Sequence, residues 1–352
     1  MKKIFYIAGA MAFIACASNK NTSKPEDKNV DQAAEYAASI TAKDLRTHLY
    51  IYASDEFEGR NTGEPGQKKA IAYLKDFYVQ QGISSPLGDT DYFQEVPAEF
   101  LNKRKRKIPL KDSENVVAFI KGSEKPDEIV VVSAHLDHEG IKNGKIYNGA
   151  DDDGSGTVAI LEIAQAFKMA EKAGKGPKRS VLFLHVTGEE KGLLGSKYYT
   201  DVDPIFPLAN TVCNLNIDMV GRVDDKHNDD TNYVYLIGSD KLSTELHTLS
   251  EEMNTKYTNI NIDYTYNDEN DPNRFYYRSD HYNFAKNNVP VIFYFNGTHK
   301  DYHQPSDTPD KIEYELLESR TRLVFHTAWE VANKETRILA DKADIKVKAT
   351  EK

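Results

Sequence analysis

The chain has 352 residues, of which 45 are Lys or Arg and 55 are Asp or Glu, so its formal net charge at pH 7 is −10. This acidic balance lacks the basic surface that a nucleic-acid backbone requires, which argues against a nucleic-acid-binding protein. Hydrophobic residues make up 39% of the chain and charged residues 28%, which excludes both a disordered chain and a protein with many membrane spans. We therefore expect a soluble, acidic globular domain.

The N-terminal segment has the pattern of an export signal. Two lysines precede an apolar run, Ile4–Ala15, and Cys16 follows it. These 12 residues, at about 1.5 Å each, are too few to span roughly 30 Å of hydrocarbon. A short apolar run between a positive start and a small residue is typical of a secretory signal. The end of the run, Phe13-Ile14-Ala15-Cys16, resembles the lipobox of bacterial lipoproteins, which implies a lipid on Cys16; the alternative is plain secretion after cleavage near Ala15.

The domain boundaries follow from this interpretation. We expect a signal peptide over residues 1–16, a polar tether over residues 17–43, a single globular domain over residues 44–335 and a charged tail over residues 336–352. The protein would be exported and held in a bacterial envelope membrane, periplasmic or at the cell surface, only through a lipid at Cys16.

The body of the chain alternates between strand and helix patterns. Two helices joined by a Gly-rich loop are predicted over Ile40–Gly82. Continuous apolar runs predict buried strands at Ile129–Ala134, Ser180–Val186, Thr211–Ile217, Tyr233–Ile237 and Val289–Phe295, and helical periodicity predicts helices at Ser155–Ala173, Lys241–Met253 and Tyr314–Ala332. This order predicts an α/β fold of three layers, in which helices flank a mixed, mostly parallel sheet on both faces.

Carboxylates and imidazoles follow nearly every predicted strand. They are His135 and Asp137, the run Asp151-Asp152-Asp153, the pair Glu189-Glu190, Asp218, and the pair Tyr302-His303. Each feature alone could be a surface turn, a helix N-cap or the solvent-exposed first turn of a helix. In an open α/β sheet, however, sites form beyond the carboxyl ends of the strands, and adjacent buried carboxylates are costly without a cation. Together the five features predict a metal site.

The types of side chain indicate which metal this site would hold. Imidazole and carboxylate without thiolate suit zinc, with manganese or cobalt as substitutes, whereas a calcium site does not need histidine. Two histidines and three carboxylates are too many for one tetrahedral ion but fit two ions that share a bridging carboxylate. Such a pair polarises a carbonyl and activates water near neutral pH.

The same residues resemble a known family, the co-catalytic zinc exopeptidases that include the bacterial leucyl aminopeptidases, with glutamate carboxypeptidase and glutaminyl cyclase in the same fold group. The resemblance extends over roughly Leu45–Asn333 and rests on His135-x-Asp137, Gly149-Ala150-Asp151-Asp152-Asp153-x-Ser155-Gly156, Glu189-Glu190, Asp218, Tyr302-His303, Ser54-Asp55-Glu56-x-x-Gly59-Arg60 and Ser279-Asp280-His281. It implies two Zn²⁺ ions per chain. One zinc would bind His135 and Asp218, the other Glu190 and His303, and the carboxylate of Asp152 would bridge the two ions. The resemblance also implies that the peptide bond between Asp152 and Asp153 is cis.

The resemblance also implies three roles near the metals. Asp137 would accept the free ring N–H of His135, Glu189 would act as the general base on the metal-bridging water, and Tyr302 would donate to the oxyanion. The implied activity is that of an aminopeptidase acting on peptide substrates. A glutaminyl-peptide cyclotransferase, a carboxypeptidase and a non-catalytic receptor-like domain of the same fold remain alternatives.

Several further residues are set aside as structural or solvated. We expect Asp280 and His281 to support the site, His185 and Cys213 to be buried core residues, and the basic run Lys103–Lys107 to be a solvated hairpin tip. Asp307 could orient His303, while His138 and His299 flank the ligand stretches without a predicted role.

Overall fold

The computed structural model describes Met1, residues 31–88 and residues 90–343. The chain divides into two compact units, Met1–Asp31 and Gln32–Lys352, and the second contains every element described below. The predicted signal run, its lipobox Cys16 and most of the predicted tether lie outside the described residues, as does the end of the predicted tail from residue 344 onward.

Helices and strands alternate along most of the second unit. The helices are α1 (Gln32–Ala37), α2 (Ala42–Tyr52), α3 (Pro65–Gln81), α4 (Ala98–Leu101), α5 (Gly156–Lys172), α6 (Leu194–Asp201), α7 (Ser239–Leu242), α8 (Thr244–Met253), α9 (His281–Ala285) and α10 (Tyr314–Asn333). The strands are β1 (Phe93–Val96), β2 (Ser113–Ile120), β3 (Lys125–His135), β4 (Gly140–Lys142), β5 (Lys145–Tyr147), β6 (Arg179–Val186), β7 (Thr211–Ile217), β8 (Tyr233–Ile237), β9 (Asn261–Asp263) and β10 (Val291–Phe295). None of the helices in the described ranges combines the length and the apolar character that a membrane crossing requires.

Within the described residues, eight strands form one mixed sheet in the order β1-β2-β6-β3-β7-β10-β8-β9. The four central strands β6, β3, β7 and β10 are parallel to one another. Strand β2 pairs antiparallel with β6, and β8 pairs antiparallel with β10. The predicted mixed sheet with a parallel centre is confirmed, and its parallel strands all end at one edge.

Successive side chains of the central strands point to opposite faces of the sheet, and apolar side chains cover both faces. In β3, Val130 and Val132 belong to one buried cluster, while Ile129 and Val131 belong to the other. Helices α1, α2, α3, α5, α8 and α10 cover the first face, and α6, α7 and α9 cover the second. Because both faces are covered, the strands read as continuous apolar runs, which is why the sequence predicts them.

The predicted boundaries of the domain are too narrow. Helix α1 lies inside the predicted tether, and its Tyr36 is buried, with its ring centroid 5.6 Å from that of Trp329. Ile338, inside the predicted charged tail, is also buried in the core. Tyr36 becomes part of the core because Trp329 of α10 packs against it. Cys213 is a buried free thiol, as predicted.

Candidate metal centre

The five predicted metal ligands converge at the carboxyl edge of the parallel strands. His135 is the last residue of β3, Glu189 and Glu190 follow β6, and Asp218 follows β7. His303 lies in the loop beyond β10, where its backbone has a φ of 54°, in the left-handed region that non-glycine residues rarely occupy. Because these four strands are neighbours in the sheet, their end loops meet at one place.

The three consecutive aspartates in the turn before α5 divide into one that faces the site and two that hold the turn. Asp152 faces the imidazole of His135, with 3.1 Å between Asp152 Oδ1 and His135 Nε2. Asp153 accepts a hydrogen bond from the backbone N–H of His135 at 3.1 Å, and Asp151 accepts one from the backbone N–H of Gly221 at 2.7 Å. The peptide bond between Asp152 and Asp153 is cis. The flanking aspartates therefore fix the carboxylate of Asp152 between the loops that carry the other donors.

Asp307 holds the same turn from the opposite side. Its carboxylate accepts hydrogen bonds from the backbone N–H groups of Asp151 at 3.0 Å and Asp152 at 3.2 Å. The hypothesis that Asp307 orients His303 is therefore wrong. A buried carboxylate pairs with the nearest unsatisfied backbone donors, and here these belong to the turn.

The first group of donor atoms comprises His135, Asp152 and Asp218, which are all buried. His135 Nε2 lies 3.6 Å from Asp218 Oδ1, and the other oxygen of Asp218 accepts a hydrogen bond from the Ser279 hydroxyl at 2.6 Å. Ser279 thus orients Asp218, a role that the predicted Ser-Asp-His motif did not reveal.

The carboxylate of Asp137 does not accept the ring N–H of His135, contrary to the prediction. His135 Nδ1 lies 3.0 Å from the backbone oxygen of Asp137 but 4.0 Å from its carboxylate. The carboxylate accepts hydrogen bonds from the Thr62 hydroxyl at 2.6 Å and from the backbone N–H of Glu189 at 3.1 Å. Asp137 therefore orients His135 through its main chain and positions the Glu189 loop through its side chain.

The second group of donor atoms contains His138, a histidine for which the sequence predicted no role. His138 Nδ1 lies 2.9 Å from Glu190 Oε1 and 3.7 Å from Asp152 Oδ2. His303 Nε2 lies 3.0 Å from Asp152 Oδ2 and 3.3 Å from Glu190 Oε2. Two imidazoles therefore face the pair formed by Asp152 and Glu190. The signal in the sequence was the position of His138 directly after Asp137.

The electrostatics of these groups fit divalent cations. Burial acts to raise the pKa of Glu190, but hydrogen bonds from His138 and His303 hold it well below its usual range. Burial acts to lower the pKa of His303, but Asp152 and Glu190 raise it to about 10. The other ring nitrogen of His138, Nε2, is buried without a hydrogen-bond partner. Clustered carboxylates and imidazoles are suited to bind a metal ion, and the sharing of Asp152 by both groups fits two.

Glu189 lies beside these groups. Its Oε2 is 3.9 Å from His135 Nε2. Burial raises its pKa well above the ordinary value, and the nearby Glu190 and Asp218 add to this effect, whereas His135 opposes it. A carboxylate with a raised pKa beside a metal group is suited to accept and return a proton.

A cleft of about 350 Å³ opens at the site. Its lining includes Asp152, Glu189, Asp218, His303, Tyr302, Arg278, Met219, Thr298, Phe275, Phe293 and Phe295. The Tyr302 ring stacks on the imidazole of His303 at a centroid distance of 3.9 Å, and both residues line the cleft. The cleft therefore combines charged and polar side chains with an aromatic surface formed by Phe275, Phe293 and Phe295.

The remaining predicted residues support the site from outside. Asp280 is buried and accepts a hydrogen bond from Ser196, and burial raises its pKa to about 7. His281 stacks on Phe293, and burial lowers its pKa to about 3. His185 pairs with the Tyr78 hydroxyl at 2.6 Å in the core, as expected for a buried structural histidine.

Comparison with known sequences gives one family. A family model described as Peptidase family M28 matches residues 115–328. Leupeptin-inactivating enzyme 1 of Streptomyces exfoliatus is 30% identical over 274 residues, which cover 75% of this chain and 51% of that protein. Aminopeptidase YwaD of Bacillus subtilis is 27% identical over 246 residues, covering 68% of this chain and 49% of that protein. The chain thus spans about half the length of these two relatives.

Comparison with solved structures supports the fold. The LapA aminopeptidase of Legionella pneumophila superposes with a TM-score of 0.66 at 19% sequence identity, covering 94% of this chain and 81% of that one. The mixed sheet and its flanking helices are therefore an arrangement already seen in an aminopeptidase.

Proposed function

Because the chain belongs to peptidase family M28, we propose that it is a zinc-dependent aminopeptidase that releases N-terminal residues from peptides. The observation that carries this proposal is the pair of donor groups that share Asp152, with Glu189 directly beside them. Two relatives of this chain are named as an aminopeptidase and as a leupeptin-inactivating enzyme, which agrees with the proposal.

The residues that would hold two zinc ions are His135 and Asp218 for one, Glu190 with His303 and His138 for the other, and Asp152 between them. Bound zinc would polarise the scissile carbonyl and make water a nucleophile near neutral pH. Glu189 takes the proton from the attacking water and returns it to the leaving amine. The backbone N–H of Glu189, held by Asp137, fixes the base in the loop.

Tyr302 would donate its hydroxyl to the developing oxyanion. Two observations support this role: the ring is held against His303, and burial, together with the charges of Asp152 and Glu189, raises the pKa of the hydroxyl, so that it keeps its proton. Arg278 reaches the same hydroxyl at 3.5 Å.

The cleft favours an aminopeptidase that takes an apolar first residue. Phe275, Phe293 and Phe295 supply an apolar wall that a hydrophobic side chain can cover. Glutaminyl cyclisation stays the second candidate, and a zinc content near one ion per chain would favour it over the two-ion enzyme.

The test is hydrolysis of aminoacyl-nitroanilides by wild type and by Glu189→Gln, each with and without a chelator. Loss of the base should lower kcat by about 10²–10⁴-fold while zinc stays bound, because Glu189 is not required as a ligand. Glu99→Gln, which changes an exposed glutamate on α4, is the matched control and should behave as wild type. Near wild-type turnover in Glu189→Gln, or turnover that ignores the chelator, would contradict the proposal.

We also propose that the protein is exported and anchored through a lipid on Cys16. The support is the pattern of the first 16 residues, a charged start and a short apolar run that ends in cysteine. Cys16→Ala should release the protein from the membrane fraction into the soluble fraction, and an unchanged distribution would refute the anchor.

A further inference from the structure

A strongly basic pocket adjoins the candidate metal centre. Its cavity has a volume of about 90 Å³, and five cations line it, Lys103, Arg104, Arg106, Lys191 and Lys197. We call it the basic pocket. Two separate segments build it, the loop after α4 and the stretch between β6 and α6 with the start of that helix. The sequence prediction treated Lys103–Lys107 as a solvated tip, whereas the structure places three cations of this region on the pocket.

The two segments are joined by one of the arginines. Arg106 donates a hydrogen bond to the backbone oxygen of Lys191 at 2.5 Å and another to that of Leu101 at 3.3 Å. These bonds hold the basic loop against the segment that follows Glu190. The cations therefore form a defined rim of the pocket.

The cations of the pocket have no acidic partners among the described residues. No Asp or Glu carboxylate oxygen in that part of the chain lies within 4.0 Å of a side-chain nitrogen of Lys103, Arg104, Arg106, Lys191 or Lys197. Yet acidic residues outnumber basic ones in the whole chain. Five like charges around one concave surface repel one another, and an anion bound there would relieve the repulsion.

The pocket begins one residue from the metal donors. Lys191 directly follows Glu190 in the chain. The apolar residues Leu101 and Leu194, at the floor of the pocket, pack against the turn at Gly188: a Cβ there would lie 3.2 Å from Leu194 Cβ and 3.7 Å from Leu101 Cδ2. The turn that carries Glu189 therefore separates the basic pocket from the catalytic cleft.

The two pockets lie on opposite sides of the donors along the sheet. The aromatic cleft is lined by residues at the ends of β7 and β10, such as Met219 and Phe295, whereas the basic pocket is lined by residues that precede β2 and follow β6. A peptide whose first side chain fills the aromatic cleft and whose first carbonyl faces the donors would extend toward the basic pocket.

We propose that the basic pocket binds a carboxylate in the part of the peptide beyond the scissile bond, so that the enzyme prefers short or acidic peptides. This inference rests on the proposed aminopeptidase function. The carboxylate can come from the C-terminus of a di- or tripeptide or from an Asp or Glu side chain. Both present the same planar anion, which guanidinium and ammonium groups bind through charge-assisted hydrogen bonds.

The test compares peptides with and without such a carboxylate. The series is Leu-Ala-amide as the neutral reference, Leu-Ala with a free C-terminus, and Leu-Asp-amide with the carboxylate on the side chain. We expect kcat/KM to be about tenfold higher for at least one acid than for the amide at low salt, mainly through KM, and the advantage to shrink as salt rises. The two acids show which source of carboxylate the pocket accepts.

A double variant tests whether the basic pocket causes the preference. Lys103→Gln with Lys197→Gln removes one cation from each segment and spares Arg106, which holds the loop. Lys105→Gln with Lys107→Gln removes the same total charge, here only from the loop after α4 and at exposed positions that do not line the pocket. The first pair should abolish most of the acid preference, measured as the ratio of kcat/KM for the acid peptide to kcat/KM for Leu-Ala-amide, whereas the second pair should keep this ratio.

The possible failures are distinguishable. Equal kcat/KM for acid and amide peptides in wild type, or an equal loss of the acid preference in both double variants, would contradict carboxylate binding by the basic pocket. The proposed aminopeptidase function would still stand. If no peptide is cleaved, the proposed function fails instead. Calorimetry then measures the affinity for Leu-Ala in wild type and in the two double variants, independently of catalysis. If the basic pocket binds the carboxylate, only the first double variant loses affinity.

Discussion

His138 shows how a single side chain can complete a site from an unexpected position. Its imidazole is fully buried, its Nδ1 faces Glu190 and Asp152, and its Nε2 has no hydrogen-bond partner. An imidazole nitrogen buried without a partner is costly unless something binds it. We therefore expect His138 to help hold the second zinc, directly or by orienting Glu190.

The corresponding prediction concerns metal content. His138→Ala should weaken binding of one of the two zinc ions by about 10–100-fold, because the ion loses an imidazole donor or Glu190 loses its orientation. Competition with a chromogenic chelator, followed by elemental analysis, measures this directly. His247→Ala, which removes a half-buried histidine from α8, serves as the control. Two tightly held ions in the His138 variant would show that this imidazole has only a structural role.

The residue scale also shows what the sequence could and could not predict about the site. The strand-end pattern was enough to select His135, Asp152, Glu190, Asp218 and His303, which the structure brings together. It could not reveal His138, because the orientation of that residue depends on a contact distant in sequence: its backbone N–H donates to the oxygen of Arg60. The partners of Asp137 and Asp307 were likewise unpredictable, since they are the Thr62 hydroxyl and backbone N–H groups of loops distant in sequence.

At the scale of elements, Arg60 connects the loops that carry the donors. Its guanidinium is buried and donates to the backbone oxygens of Leu136 at 3.1 Å, Asn148 at 2.6 Å and Gly149 at 2.8 Å. It also lies over the Tyr52 ring of α2, 4.7 Å from the centroid. One side chain thus joins α2, the end of β3 and the turn that holds Asp152.

We predict that Arg60→Lys lowers the free energy of unfolding by about 2–3 kcal/mol, because lysine cannot make this set of planar donations and leaves buried oxygens unpaired. Urea unfolding of the metal-free protein measures this without interference from zinc. Arg46→Lys on the exposed side of α2 is the matched control and should change stability by less than about 0.5 kcal/mol. A similar small effect of Arg60→Lys would mean that the loops are held by other contacts.

The strands that the sequence predicted are those that are buried on both faces of the sheet. Strands β3, β6, β7, β8 and β10 are buried on both faces, so their sequences are continuous apolar runs. Strand β2 was not predicted, since it follows a basic loop and begins with three polar residues, Ser113-Glu114-Asn115. Its place beside β6 is set by pairing across the sheet, and a single segment does not show that pairing.

For the whole molecule, one buried carboxyl makes stability depend on pH. Glu162 on α5 is buried away from the predicted donors, and burial and the charge of Asp44 raise its pKa to about 8. His48 on α2 faces it at 3.6 Å, and Tyr73 on α3 lies nearby, but burial lowers the pKa of His48, so its imidazole does not supply a full positive charge. The folded protein therefore keeps a proton on Glu162 that the unfolded chain releases near its ordinary pKa of 4.5.

The sign of the effect follows from proton binding. Between about pH 4.5 and pH 8 the folded state binds more protons than the unfolded state, so the contribution of Glu162 is full below this window and is lost as the pH rises through it. Glu162→Gln should therefore stabilise the protein at pH 9 by about 2–4 kcal/mol relative to wild type, with little difference at pH 4.5. Urea unfolding of both proteins across this range tests the prediction, and parallel stability curves would refute it.

The separation in sequence of the segments that supply the donors has a consequence for how the protein acquires its metal. His135 and His303 are 168 residues apart in the sequence, and the groups between them come from separate strand ends. An incompletely assembled chain therefore offers an ion only isolated weak donors, whereas a finished sheet offers all of them at once. Zinc uptake should thus report completed folding, and a misfolded copy should stay both inactive and metal-free.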